Sequence, residues 1–71
     1  MSLRPEKHSL TLAGHRTSVS LEPEFWEQFA RLAHQDGRSV TDLAAEIDAG
    51  RGDQGLASAI RLFVLRRALG Q

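Results

Sequence analysis

Seventy-one residues, with nine Lys and Arg balancing nine Asp and Glu, make one small domain at most and give it no net charge. The chain has no cysteine and only three scattered histidines, which excludes disulfides and argues against a metal site or any cofactor held by one. No stretch approaches the roughly 18 to 20 apolar residues of a membrane span, so a cytoplasmic chain without a membrane partner is expected.

Residues 1–7 read as a polar, flexible tail in which Pro5 breaks any regular element, and the domain as residues 8–71. Ser9-Leu10-Thr11-Leu12 alternates polar and apolar, Ala13-Gly14 is a turn, and 16–21 alternates again. Side chains of a strand alternate between its faces. Thr17, Val19 and Leu21 therefore form the core face of the second strand, and Arg16, Ser18 and Ser20 its outer face.

Pro23 suits the first position of a helix, and Glu22 and Glu24 favour the positive end of its dipole. Phe25, Trp26, Phe29, Leu32 and Ala33 recur at spacings of three and four, predicting a helix over 23–36 that ends at Gly37, with Leu21 stapled on Trp26. Ser39 caps a second helix over 39–49, and Asp42 lies three residues on in a capping-box arrangement. A third helix covers 56–69. Its apolar residues, among them Ile60, Phe63, Val64 and Leu65, spread over more than one face. In so short a chain this predicts one face against its own subunit and another against a second.

The zero net charge conceals three segments: +2 up to Ser20, −5 from Leu21 to Gly55, and +3 from Leu56 onward. The basic N-terminal segment is the expected place for an anion.

One strand feeding directly into a helix makes no sheet alone, but pairing with a two-fold mate would give a ribbon over a helical core. At this point the run Arg16-Thr17-Ser18-Val19-Ser20-Leu21-Glu22-Pro23-Glu24-Phe25-Trp26, followed by Gly37-Arg38-Ser39-Val40-Thr41-Asp42-Leu43, resembles the ribbon-helix-helix (MetJ/Arc-like) DNA-binding proteins. The whole pattern is similar to a small bacterial branch of that family with an extra N-terminal strand and a third helix. The resemblance implies a mainly α fold with a short β-ribbon, in β-β-α-α-α order. It implies a homodimer bound to double-stranded DNA as a transcriptional repressor or antitoxin-type regulator, with a toxin as a possible protein partner.

A two-stranded ribbon fits a groove about 12 Å wide. Carried onto this chain, the resemblance gives base contacts to Arg16, Ser18 and Ser20, and phosphate contacts to Arg38, Ser39 and Val40 at the start of the second helix. Val19, Leu21, Trp26, Phe29, Ile47, Ile60, Phe63 and Val64 are assigned to the core or dimer interface. The extra strand departs from the minimal pattern. It either folds back as an intrachain hairpin, leaving one edge for the mate, or widens a dimeric sheet to four strands.

His8, His15 and His34 share no helical face and no acidic cluster, and are expected to be solvated. Glu46 and Asp48 face no second carboxylate, no serine has a nucleophile-elbow setting, and no enzyme is expected. Arg61, Arg66 and Arg67 favour the negative end of the third helix. An alternative function is a dimeric module of the same fold that does not bind DNA and docks a partner protein through Phe63 and Leu65 of that helix.

Overall fold

A computed structural model describes residues 4–71. Two antiparallel strands, β1 (Glu6–Leu12) and β2 (His15–Leu21), precede three helices, α1 (Pro23–Gln35), α2 (Val40–Gly50) and α3 (Leu56–Ala68). The strands form an intrachain hairpin, paired from Glu6↔Leu21 to Leu12↔His15. Its turn is Ala13-Gly14, both residues with positive φ (51° and 82°), as a type I′ turn requires. Ala13 therefore sits in a conformation that disfavours a Cβ by about 1 to 2 kcal/mol.

Strand β1 starts earlier than expected. Glu6 and Lys7 belong to the hairpin and not to a tail, because β2 supplies partners for both and Pro5, which has no N–H to donate, precedes them. Residues 1–3 of the expected tail lie outside the described residues.

The helices begin and end where their local chemistry dictates. Ser39 Oγ accepts from the Asp42 amide at 3.0 Å and caps α2. Helix α1 closes in a Schellman arrangement: the Arg38 amide donates to Ala33 O (2.9 Å) and Gly37 N to His34 O (3.0 Å), with Gly37 at φ 69°. That reversal leaves only three residues between the α1 cap, Asp36, and the start of α2 at Val40. Glu22, the N-cap residue of α1, makes no side-chain capping bond and is engaged elsewhere.

One core holds the layers together. Leu10, Leu12, Val19 and Leu21 from the sheet meet Phe29, Ala33, Leu43, Ala44, Ile60 and Val64 from the helices. Phe29 is fully buried, 6.2 Å from the rings of both Trp26 and Phe63, edge-on to the latter. Trp26, Ile47 and Phe63 are half-buried around this centre.

Two residues depart from expectation. Thr17 shares the parity of Val19 and Leu21 but is exposed, because the helices cover the other end of β2 and leave this part of its edge open. His8 is not solvated: its imidazole lies flat on Trp26, centroids 3.7 Å apart and planes 5° from parallel, and its Nε2 is buried with no hydrogen-bond partner among the described residues. Once β1 reaches back to Glu6, His8 shares the inward face of Leu10 and Leu12.

Candidate nucleic-acid interface

The hairpin turns one face to the helices and the other outward. Arg16, Ser18 and Ser20 are exposed on the outward face. The register sets Thr11 opposite Arg16, Ser9 opposite Ser18, and Lys7 opposite Ser20, all three β1 residues exposed as well. Six side chains thus share a surface of four hydroxyls and two cations, without an acid. The resemblance pointed only to the β2 half: Lys7 fell in the expected tail, and Ser9 and Thr11, though on the expected first strand, join this surface through a register with β2 that is fixed only in the folded hairpin.

None of the cations on this surface is neutralised. Five of the nine basic residues, Arg31, Arg38, Arg51, Arg61 and Arg67, make ion pairs. Of the four without one among the described residues, Arg4, Lys7 and Arg16 belong to the N-terminal strand region and Arg66 to α3. Two of the four, Lys7 and Arg16, thus lie on the outward sheet face of a protein without net charge, where an anion meets them without a paired acid.

The same hairpin fixes which backbone groups remain open. In a two-residue hairpin the residues flanking the turn, Leu12 and His15, form a hydrogen-bonded pair, and alternate pairs follow suit. Thr17, Val19 and Leu21 therefore bond to β1, while the N–H and C=O groups of Arg16, Ser18 and Ser20 point away from it. Consistent with this parity, the Ser20 carbonyl accepts from Arg61 Nη2 at 3.4 Å. The outer edge of β2 is an unpaired strand edge, a template for a further strand. The N-terminal end of β1 by contrast carries Arg4, Pro5, Glu6 and Lys7, residues of the kind that blunt an edge.

At the start of α2, Ser39 is committed to its cap and the Val40 side chain is half-buried against the core. The Arg38 guanidinium folds back along α2, where Nη1 donates to Glu46 and Nη2 to the Asp42 carbonyl (3.2 Å). What this terminus offers an anion is the amides of Val40 and Thr41, which have no acceptor within the helix.

The basic end of α3 is mostly engaged within the chain. Arg61 grips Glu22 with two bonds, Nε to Oε1 at 2.9 Å and Nη2 to Oε2 at 3.2 Å. Arg67 makes a matching fork to Asp36, both bonds at 2.9 Å, with its guanidinium carbon 5.5 Å from the Phe63 ring centre. The hydrogen bonds from Arg61 hold the Glu22 carboxyl below the usual carboxylate range, and those from Arg67 do the same for Asp36. Lowered carboxyl pKa values stabilise the fold above the unfolded range of about 4, a contribution lost as pH falls through the lower folded values. The melting temperature should therefore drop on acidification, and E22Q/D36N should melt lower at neutral pH with a flatter acid limb. Parallel curves for the two proteins would contradict this role.

Asp48 is paired with Arg51 (2.5 Å). A shallow cleft between α2 and α3 is lined by Ile47, Leu62 and Phe63 with Glu46, Arg51 and Arg66 at its rim. No group of three or more potential metal ligands occurs among the described residues, and none of their helices is long and apolar enough to cross a membrane.

A family model described as a ribbon-helix-helix domain matches residues 5–68. That span takes in both strands from their first residues and all three helices. No curated protein and no solved structure matches the chain.

Proposed function

Because the chain belongs to the ribbon-helix-helix family, generally DNA-binding regulators, we propose that it is a homodimeric, sequence-specific DNA-binding protein acting as a transcriptional repressor or antitoxin-type regulator. The observation that carries this reading is the outward sheet face, with four hydroxyls, two unneutralised cations and no acid, beside an open strand edge.

The edge argues for the mode of dimerisation. Seven residues, His15–Leu21, make β2, so full antiparallel overlap with a second copy centres the two-fold on Ser18. Arg16 then lies opposite the partner's Ser20, and the open backbone groups of Arg16 and Ser18 and the Ser20 amide find partners, while the Ser20 carbonyl already accepts from Arg61. In the major groove, Arg16 can make two parallel bonds to guanine O6 and N7, while Ser18 and Ser20 donate or accept at several base edges. The Val40 and Thr41 amides, with Ser39 beside them, would bind a phosphate through the helix dipole, and Arg38 would join them on release from Glu46.

A proline at position 18 tests the link between edge and DNA. The Ser18 N–H makes no bond to β1, so S18P leaves the intrachain hairpin intact but denies the mate a donor at the two-fold. S18P should be monomeric by light scattering and bind no duplex selectively, whereas S18A, which loses only a hydroxyl, stays dimeric. Selective binding by a monomeric S18P would overturn the reading.

One observation favours a second reading, docking of a partner protein on α3. Leu65 and Leu69, one turn apart, are 50% and 63% exposed. Phe63, by contrast, is engaged with Phe29 and Arg67. A wild-type dimer with no selective DNA binding would support this second reading.

A further inference from the structure

Resting on the DNA-binding reading, we infer that the DNA-facing surface is a four-stranded sheet in which Lys7 of each outer strand grips phosphate at the rim of the groove. The hairpin is intrachain, so pairing two β2 edges gives the order β1-β2-β2-β1 across the dimer. With Ser18 on the two-fold, the outward face consists of three cross-sheet rows. The central row is Ser9 and Ser18 followed by the partner's Ser18 and the partner's Ser9. The row on one side runs Lys7, Ser20, the partner's Arg16 and the partner's Thr11, and its mirror lies on the other side.

Width separates the roles of these strands. Strands lie about 4.8 Å apart, so the two β1 strands are about 14 Å from each other, more than the roughly 12 Å of the major groove. The two central strands fit inside, as in a two-stranded ribbon. The outer strands meet the walls, where the accessible groups are phosphate oxygens. Lys7 suits that position: it is exposed, forms no ion pair among the described residues, and its flexible ammonium is a point charge. Arg16, on a central strand, keeps the base edge. The extra strand thus adds affinity without sequence information, while the central strands retain selectivity.

The test compares wild type, K7A and R16A on a duplex enriched by the wild type from a random-sequence pool, titrated over a salt series, with single-base variants of that duplex as competitors. Each phosphate contact contributes about 0.9 to the slope of log affinity against log salt, so K7A, which removes two per dimer, should flatten it by about 1.8. Between about 50 and 200 mM salt the variant would then lose about tenfold less affinity than wild type. Its ranking of the base variants should be unchanged, whereas R16A should scramble it. An unchanged slope in K7A, or a shift in its base ranking, overturns the rim assignment while leaving the DNA-binding reading in place. If the wild type enriches no duplex, both fail together. Lys7 is an exposed strand residue, so loss of folding does not confound its replacement.

Discussion

Phe29→Ala is expected to remove a large share of the protein's stability and to lower its melting temperature steeply. Phe29 is fully buried where α1 meets α3, between Trp26 and Phe63. Truncating a buried Phe to Ala costs about 3 to 5 kcal/mol, from lost transfer energy and the cavity left behind. A domain of this length has about 4 to 10 kcal/mol in total. The melting temperature should fall by more than about 12 °C, since each kcal/mol moves a domain of this size by about 4 to 8 °C. DNA binding should fall with it, because Val19 and Leu21, which seat β2, belong to the same core. Thermal unfolding followed by circular dichroism checks this, and a shift of only a few degrees would mean that Phe29 is not central to the core.

Arg16→Ala should leave the fold intact and weaken selective DNA binding by thirtyfold or more. Its side chain is exposed and makes no ion pair among the described residues, so folding loses little. A bidentate contact to guanine is worth about 1 to 3 kcal/mol, and the two-fold doubles it to about 2 to 6 kcal/mol, at least about thirtyfold in Kd. Arg16→Lys separates geometry from charge. Lysine keeps the charge but lacks the planar fork, so R16K should keep the salt dependence and lose most of the base preference. Equal affinity and equal base preference in R16A would remove Arg16 from the interface.

Much of the architecture was legible because local signals agreed with the global pattern. Ser39, Pro23 and Gly37 mark helix ends by mechanisms acting within a few residues, and the apolar spacing of α1 matches what it buries. The backward reach of β1 was not legible. Lys7 and Glu6 are poor strand formers, and what holds them in the hairpin is their pairing with Ser20 and Leu21, a contact that exists only after folding. The same backward reach hid Lys7 on the outward face and left His8 among the solvated histidines.

The commitments of the arginines were equally out of reach. Arg61 and Arg67 lie 39 and 31 residues from Glu22 and Asp36, and no local pattern announces such pairs. Only their placement in three dimensions separates the cations that tie α3 to the rest of the molecule from those left open beside the sheet. Net charge, zero over the whole chain, carries no trace of that division.

The most direct measurement is a fluorescence titration of the wild-type protein against duplexes recovered from a random-sequence pool, at two salt concentrations, with light-scattering masses of the free protein and its complex. The sheet-face account expects a dimer that binds one family of duplexes selectively and loses affinity steeply as salt rises. A stable dimer with no preference among duplexes and no salt-dependent binding would contradict it.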